Sequence, residues 1–316
     1  MLTCKFLRAC GAQALLALLV VAATASARQS PPGPIVRENS TVKVSDHVHV
    51  IPDPGGGGIP NVGIVVGTRG ILVIDTGLGP RNGQTVLREA AKVGKTSELY
   101  LVTTHYHPEH DLGASAFPAS ATLIRSQDQI HDIEEFGLEI AQSFAGRTPV
   151  MAQLLEGVDY RDADVTFERE HLVDLGGVRA RILAIGGNTH TRGDTVIFVE
   201  GDNVLFSGDV VMQAFPAFAS SDGKVSAWLA ALDRLEALKP LRIVPSHGPM
   251  GDLSMLRAWR EYFTTLQARA RELKAQGQPS DVVAEMLQAE LQAKYPNWNQ
   301  PNRIAPAARA AYGEAP

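Results

Sequence analysis

Residues 99–110 read Leu-Tyr-Leu-Val-Thr-Thr-His-Tyr-His-Pro-Glu-His, an apolar run that ends in three histidines and one glutamate. The apolar part, residues 99–103, predicts a buried β-strand. Side chains two residues apart in an extended segment point to the same side, so His105 and His107 can approach one ion. The end of this strand is therefore a candidate metal site.

The residues that follow extend the same cluster. Pro108 favours an extended conformation in the residue before it and can begin a helix. A helix that begins there would turn Glu109 and His110 back over the same cleft. Imidazoles and a carboxylate form the nitrogen and oxygen set that zinc prefers. A chance polar loop is the weaker interpretation, because six consecutive residues supply four potential ligands.

Three later turns carry side chains of the same kind. Each follows a predicted strand and contains glycine, and together they place His190 in residues 186–191, Asp209 in 207–209 and His247 in 245–248. A single histidine or aspartate after a strand is more often a cap or a turn residue. Four such strand ends in one chain instead predict seven ligands, enough for two metal ions.

The rest of the chain alternates predicted strands and helices. Alternating patterns and β-branched runs predict strands at 42–51, 62–66, 71–74, 99–103, 172–175, 180–185, 195–199, 204–207 and 243–245. Helices are predicted at 80–93, 126–145, 225–238, 253–275 and 280–294. Strands with helices on the outside predict a layered α/β sandwich.

These motifs, in this order, resemble those of the metallo-β-lactamase superfamily: His-x-His-x-Asp-His, a His after Gly, then Gly-Asp, then a His before Gly. The resemblance covers residues 42–250 and implies an αββα four-layer sandwich with the site at one edge of the two sheets. Residue by residue, it implies a first metal on His105, His107 and His190, a second on Glu109, His110 and His247, and Asp209 as the bridge. Asp75 matches a further family motif and is interpreted as a residue that supports a ligand or a turn.

One position departs from the family pattern. Glu109 stands where the family has aspartate, and its extra methylene lets the carboxylate reach further. It can bind the second metal, or it can swing aside and act as a general base. An enzyme that works with one metal, or that holds a second metal weakly, is therefore a hypothesis to test.

The predicted metals suggest a reaction. Zinc lowers the pKa of a bound water to about 7, so that a hydroxide can attack a carbonyl carbon at neutral pH. We expect a small-molecule substrate of the ester, thioester, lactone or amide type, the last including β-lactams. The resemblance favours the thioesterase, lactonase and general hydrolase branches over the antibiotic-degrading ones. The absence of a Gly-x-Ser-x-Gly motif argues against an acyl-enzyme.

Two alternatives stay open. One is an iron-dependent redox enzyme of the same superfamily, similar to a sulfur dioxygenase. The other is a module that binds metal without catalysis, although a structural zinc needs only four protein ligands. Weaker hypotheses make residues 55–58 a mobile flap, and Phe215 and Phe218 an apolar wall of the cleft; a turn and ordinary packing explain these residues equally well.

The N-terminus has the pattern of a cleavable signal peptide over residues 1–27. Lys5 and Arg8 precede an apolar run at 12–23, and small residues that suit a signal peptidase follow, with cleavage after Ala27 or after Ala25. About 12 apolar residues are too few to span a bilayer, which needs roughly 20, so an uncleaved anchor is the weaker alternative. The sequence predicts a periplasmic or secreted protein with no stable membrane anchor.

The predicted mature chain has a simple organisation. Residues 28–41 form an extended leader, 42–250 the metallo-β-lactamase-like domain, and 251–316 a helical extension packed on it. Both cysteines, Cys4 and Cys10, lie in the signal peptide, so thiol chemistry and disulfides are excluded from the mature chain. The net charge of −5 argues against a nucleic-acid partner. The oligomeric state is not predictable from these features.

Overall fold

Two β-sheets packed face to face form the centre of the protein. The computed structural model describes residues 32–55, 58–218 and 223–316, and residues 32–316 form one compact unit. The predicted signal peptide and the first residues of the leader lie outside the described residues. No helix in the described ranges is long and apolar enough to cross a membrane.

The first sheet has seven strands, which lie side by side in sequence order. They are β1 (Val42–Lys43), β2 (Val48–Ile51), β3 (Val62–Val66), β4 (Gly70–Ile74), β5 (Glu98–Val102), β6 (Thr122–Ser126) and β7 (Val165–Phe167). β1 to β4 pair antiparallel, whereas β4 to β7 pair parallel. Because β4 and β5 are parallel, their carboxyl ends lie at one edge of the sheet, which brings Asp75 next to the histidine motif.

The second sheet has five strands in the order β12-β11-β10-β9-β8. They are β8 (Glu170–Asp174), β9 (Arg179–Ala184), β10 (Thr195–Glu200), β11 (Val204–Gly208) and β12 (Arg242–Pro245). Only β11 and β12 pair parallel, so Asp209 and the turn that holds His247 also lie at one edge. Gly201 and Asn203, with φ of 86° and 53°, supply the left-handed residues of the tight β10–β11 turn.

Apolar side chains from the facing sides of the two sheets form the central core. Val50, Leu72 and Ile124 of the first sheet belong to the same buried cluster as Ile182 and Ile197 of the second. Period-two alternation along each strand directs these residues inward. Both sheets are also apolar on their outer faces, which helices cover.

The helices form the two outer layers. On the first sheet lie α1 (Gly79–Val93), α2 (Pro108–Asp111), α3 (Gln127–Arg147) and α4 (Pro149–Leu154); on the second lie α5 (Val225–Ala237), α6 (Leu253–Ala275), α7 (Ser280–Lys294) and α8 (Ile304–Glu314). Two sheets between two helical layers make an αββα sandwich, which confirms the predicted fold class.

The C-terminal helices share the core of the second helical layer. Trp228 of α5 and Trp259 of α6 lie in one buried cluster with Leu287 of α7 and Ala308 of α8. The indole nitrogen of Trp259 also donates to the backbone oxygen of Met212, at 2.6 Å. Residues 253–314 therefore bury their apolar faces on the sandwich and build no separate core.

Most predicted elements form within two residues of the expected bounds, and α6 and α7 match theirs. The strand predicted at 42–51 is wrong in one respect, because a turn at residues 44–47 divides it into β1 and β2. Backbone bonds from Val44 and Ser45 to the oxygen of Val48 close that turn. β6, β7, α4 and α8 were not predicted.

Candidate metal site

The histidine motif begins where β5 ends. His107 is extended, with φ of −62° and ψ of 145°, and α2 begins at Pro108. The amide of Thr195 in β10 donates to the oxygen of Thr104 at 2.8 Å, which joins the motif to the second sheet. The sequence-predicted turn from strand into helix is thus present, and it brings the motif to the edge that both sheets share.

His105, His107 and His190 form the first group of side chains. One nitrogen from each ring lies within 4.8 Å of the others, and all three residues are buried. Nδ1 of His107 is 3.3 Å from Nε2 of His190. This spacing and the chemistry of the rings suit one zinc ion.

The other predicted residues complete two overlapping groups. His105, His110 and Asp209 form one group, and Glu109, His110 and His247 form the other. The carboxylate of Asp209 lies 3.6 Å from Nε2 of His190, 3.7 Å from Nε2 of His110 and 3.9 Å from Nε2 of His247. Asp209 therefore lies between the two halves of the cluster. The structure brings together all seven residues that the sequence singled out.

Several polar atoms in the cluster are buried without a hydrogen-bond partner among the described residues. They are Nε2 of His105, His107 and His110, Oε2 of Glu109 and Oδ1 of Asp209. Unpaired buried polar atoms are costly, so this concentration of them needs an explanation. A cation that accepts lone pairs from His105, His110 and Asp209 explains the unpaired atoms of those three residues, and the residues present fit such a group. Nδ1 is the atom of His107 that lies near His190, so Nε2 of His107 is not explained in this way.

Asp75 holds His110 in the orientation that the cluster needs. Its Oδ2 is 3.0 Å from Nδ1 of His110, and its Oδ1 accepts the amide of Thr104 at 2.7 Å. Nδ1–H of His110 then donates to the carboxylate, which leaves Nε2 free on the cluster side. Burial would lower the pKa of His110, but the Asp75 carboxylate raises it to about 9. Asp75 itself has a φ of 64°, a left-handed conformation that non-glycine residues rarely adopt.

A buried aspartate shapes the loop that carries His190. Asp194 accepts the amides of His190 and Thr191 at 2.7 and 2.9 Å, and the hydroxyl of Thr189 at 2.5 Å. Nδ1 of His190 lies 2.8 Å from the backbone oxygen of Ala217, which directs Nε2 into the cluster. Asp194 was not predicted as part of the site, although its position four residues after His190 was an available signal.

The loop that carries His247 is fixed from the first sheet. Asn61 donates from its side chain to the oxygens of Pro245 and Gly248, at 2.8 and 2.9 Å. Oδ2 of Asp53 lies 3.4 Å from Nδ1 of His247, and the amide of Asp53 donates to the side-chain oxygen of Asn61 at 2.8 Å. Neither residue was predicted, because about 190 residues separate Asp53 from its partner and no local pattern connects them.

A buried ion pair lies directly behind the motif. Asp111, the residue after His110, receives Nη2 of Arg125 at 2.6 Å and Nε at 3.1 Å. It also accepts the hydroxyl of Thr103 at 2.8 Å, and Gln129 donates to that hydroxyl at 2.6 Å. The network ties the first turn after β5 to β6 and α3. A buried arginine inside a short strand was not recognised in the sequence.

Burial and mutual charge shift the pKa values in the cluster. Burial lowers the pKa of His105 and His107 well below the ordinary value, and the neighbouring imidazoles add to this. Burial raises the pKa of Glu109. For Asp209, burial opposes ionisation, but the surrounding imidazoles, His247 first, outweigh it and lower the pKa.

The cluster opens into a cleft of about 650 Å³. Its floor includes His107, Glu109, His190, Asp209 and His247, and its walls come from the end of α3 and from residues 297–303. Gly55 lies at the rim, whereas residues 56 and 57 of the hypothetical flap lie outside the described residues.

Phe215 and Phe218 do not form the apolar wall that was considered. Phe215 is fully buried, and its ring packs on those of Tyr262 and Trp298. Phe218 packs on Trp228. Ordinary packing explains both, and the apolar part of the cleft lining comes instead from residues such as Ile140, Phe144 and Met212.

The fold and the cluster together define a class, the αββα sandwich proteins with a histidine-rich candidate metal site at the common edge of two sheets. Residues 55–247 match the sequence profile described as the Metallo-beta-lactamase superfamily. That match covers more than half of the chain, and the chain belongs to this superfamily.

Two curated relatives match shorter stretches. A linear primary-alkylsulfatase from Pseudomonas sp. is 21% identical over an alignment of 211 positions that covers 57% of this chain and 40% of that protein. A beta-lactamase-like protein 2 homolog from Caenorhabditis elegans is 28% identical over 120 residues, 36% of this chain and 38% of that protein. The chain thus spans about two fifths of the length of each relative.

Solved structures share the fold at low identity. A metallo-beta-lactamase from Pontibacter korlensis superposes with a TM-score of 0.55 at 21% identity, over 71% of this chain and 98% of its own. The stereoselective inverting sec-alkylsulfatase from Pseudomonas sp. superposes with a TM-score of 0.69 at 16% identity, over 86% of this chain and 49% of its own. At these identities, the similarity shows the fold alone.

Proposed function

We propose that this chain is an exported, zinc-dependent hydrolase of small molecules with an ester, thioester, lactone or amide carbonyl. The observation that carries the proposal is the convergence of seven buried or partly buried ligand side chains at one edge of the sandwich. The unpartnered nitrogens and oxygens among them support a cation at the centre. An open cleft beside them leaves room for a substrate, which a purely structural zinc site does not need.

Each side chain has an assigned part in the proposal. His105, His107 and His190 hold the first zinc, and Glu109, His110 and His247 hold the second, with Asp209 between them. Zinc bound there would lower the pKa of a water molecule and polarise the carbonyl oxygen of the substrate. The carboxylate of Glu109, which lies 3.8 Å from Nε2 of His110 and has one unpartnered oxygen, can bind the metal or carry a proton to the leaving group.

The decisive experiment combines metal analysis with a substrate panel. Purified protein is tested on a β-lactam, a lactone, a thioester and a phosphoester, with added zinc and with chelator. We expect activity on at least one carbonyl substrate that chelator abolishes and zinc restores. Activity that persists in metal-free protein would refute the scheme. Bound iron with oxygen uptake, and no hydrolysis, would favour the redox alternative.

Hydrolysis of a sulfate ester is a second candidate function. Both alkylsulfatases named above resemble this chain, and the solved one superposes over a larger share of it than the Pontibacter lactamase does, 86% against 71%. An alkyl sulfate therefore belongs in the panel. Release of inorganic sulfate without hydrolysis of any carbonyl substrate would favour this candidate over the first.

Export has its own test. If residues 1–27 are a signal peptide, the protein isolated from a periplasmic or culture fraction begins at Arg28, or at Ser26 with the earlier cleavage. Mass spectrometry of the intact chain distinguishes the two. A chain that keeps Met1 and sediments with membranes would support the uncleaved anchor instead.

A further inference from the structure

Two arginines line the same cleft as the metal ligands. Arg147, the last residue of α3, and Arg303, in the 3₁₀ turn Pro301–Arg303, both line it. The guanidinium carbon of Arg147 lies 3.4 Å from the ring centroid of Phe144, which holds its planar group over the ring. Nη1 of Arg303 donates to the backbone oxygen of Phe215 at 3.3 Å. Among the described residues, no other hydrogen-bond partner takes the remaining N–H donors of either group, so these donors can bind a ligand.

The segment that presents Arg303 is firmly anchored. The amide of Phe215 donates to the oxygen of Asn299 at 3.0 Å, and Asn299 forms a parallel β-bridge with Ala214. The ring of Trp298 packs 5.3 Å from that of Phe215, between their centroids. Residues 297–303 are therefore held against Ala214 and Phe215, in the segment that follows Asp209.

Backbone strain is present at the same place. Gln300 lines the cleft and has a φ of 64°, in the left-handed region. Such a conformation costs a non-glycine residue free energy and persists where surrounding contacts impose it, often at functional sites. The backbone oxygen of Gln300 accepts the amide of Arg303 at 3.0 Å. The left-handed conformation of Gln300 therefore lies at the start of the turn that carries Arg303.

The charges around Arg303 show what it faces. Burial lowers the pKa of Arg303. The carboxylates of Asp209 and Glu109 raise it, and the positive charge of Arg147 lowers it further, so these four charged groups lie near one another in the cleft. Within the described residues, neither Arg147 nor Arg303 forms an ion pair, whereas Arg125 and Arg192 pair with Asp111 and Asp132. Under the proposed function, Asp209 and Glu109 bind metal, and their charge is then no longer available to Arg303.

We propose that Arg147 and Arg303 bind an anionic group of the substrate, a carboxylate or a sulfate. This inference rests on the proposed function for the reaction, but it assigns a separate subsite in the cleft. A guanidinium offers two parallel N–H donors that match two oxygens of either anion. The side-chain amides of Asn297 and Asn299 lie on the same wall and supply further neutral donors. The subsite selects substrates that carry a negative charge beside the scissile bond.

A matched pair of substrates tests the inference in the zinc-loaded protein. The p-nitrophenyl hemiester of terephthalic acid carries a free carboxylate that its rigid ring keeps away from the ester, and the corresponding methyl ester carries no charge. We expect kcat/KM to be at least about tenfold higher for the carboxylate in the wild-type chain. Arg303→Gln and Arg147→Gln should each lower kcat/KM for the anionic substrate about 10- to 100-fold, mainly by raising KM. The kcat/KM for the neutral substrate should change by about twofold or less.

Two further variants serve as controls. Arg303→Lys keeps the charge without the planar donor pair and should retain part of the preference. Arg271→Gln changes an exposed arginine of α6 outside the cleft and should behave as the wild type. Equal kcat/KM for the two substrates in the wild type would overturn the proposal, and so would equal losses on both substrates in Arg303→Gln. The wild-type comparison remains decisive if a variant does not fold.

Direct binding separates this proposal from the proposed function. Inorganic sulfate and acetate are titrated calorimetrically into the zinc-loaded wild type, Arg303→Gln and Arg271→Gln. We expect weaker binding only in Arg303→Gln, and the tighter of the two probes indicates whether sulfate or carboxylate is preferred. Arg303-dependent binding without turnover would support the subsite and count against the hydrolase. Turnover with arginine-independent binding and no charge preference would leave the hydrolase and remove the subsite.

Discussion

Glu109 is the residue on which the number of metal ions depends. Its carboxylate lies 3.8 Å from Nε2 of His110, and it groups with His110 and His247. We expect the wild-type chain to retain two zinc ions after dialysis, and Glu109→Ala to retain one, because the first group of histidines does not include Glu109. Elemental analysis per chain measures this.

Glu109→Asp is the matched control for that measurement. It restores the family pattern and should again hold two ions. Two tightly held ions in Glu109→Ala would show that Glu109 is no ligand and would favour its role as a base. One ion in the wild type, even in excess zinc, would support the weak second site that the sequence suggested.

Asp75 acts on the metal through His110. In Asp75→Asn, the side-chain oxygen can still accept the amide of Thr104, but the NH₂ group then faces Nδ1 of His110. The ring must carry its proton on Nε2 to accept that bond, and Nε2 is the atom that faces the metal. We expect the second zinc to bind about 10- to 100-fold more weakly, as measured by competition with a chelator.

Asp202→Asn is the control for Asp75→Asn. Asp202 also bonds a histidine, but that histidine, His47, is not one of the candidate metal ligands. The zinc affinity of Asp202→Asn should equal that of the wild type. Unchanged zinc affinity in Asp75→Asn would show that Thr104 and the backbone orient His110 without the carboxylate.

The residues of the site differ in how well the sequence shows them. The seven predicted ligands are recognisable because each follows a strand in a short motif, and strand ends meet at one edge. Asp53 and Arg303 have no such local signal, and Asp194 has only its position four residues after His190. Their roles depend on contacts between segments far apart in the chain, or on the exact path of a loop, and one sequence contains neither directly.

At the scale of elements, the Arg125–Asp111 pair connects β6 to the helix after the histidine motif. Arg125→Met leaves the buried Asp111 carboxylate without its cation. We expect the free energy of unfolding to fall by about 3–5 kcal/mol, measured by urea denaturation. The position of His110 in the metal site should also be disturbed, because Asp111 follows His110 directly in the chain.

Arg69→Met provides the comparison for Arg125→Met. Arg69 pairs with Asp174 at 3.1 Å, but both side chains are more than half exposed, so the loss should be at most about 1 kcal/mol. Similar losses in the two variants would mean that the buried pair contributes no more than a surface pair.

The elements that the sequence missed are those with the weakest periodic signal. β6 is five residues long and contains a buried arginine, which interrupts the apolar pattern of a strand. α8 buries mainly alanines, whose small side chains give little helical periodicity, and it contains Pro306 in its first turn. Amphipathic helices such as α6 have large apolar residues on one face, and their bounds were predicted correctly.

At the scale of the whole molecule, Asp202 joins the two sheets on the side of the β10–β11 turn. Its carboxylate accepts the hydroxyl of Ser45, and the amide and Nδ1 of His47 at 2.9 and 2.8 Å. Burial would raise the pKa of Asp202, but the bonds from Ser45 and His47 outweigh it, and the pKa lies below 3.8. The folded state therefore favours the ionised form of this carboxylate.

The sign of the pH effect follows from that shift. A carboxyl group whose pKa is lower in the folded chain stabilises it above the unfolded pKa, and this contribution disappears as the pH falls through the folded pKa. At pH 7, Asp202→Asn should lower the free energy of unfolding by about 1–3 kcal/mol. The difference between wild type and variant should shrink as the pH falls below 4. Asp281→Asn, whose carboxylate is 81% exposed, should show little difference at any pH. A gap between wild type and Asp202→Asn that persists at pH 3 would mean that the three bonds survive protonation, and that the connection between the sheets depends on shape and not on charge.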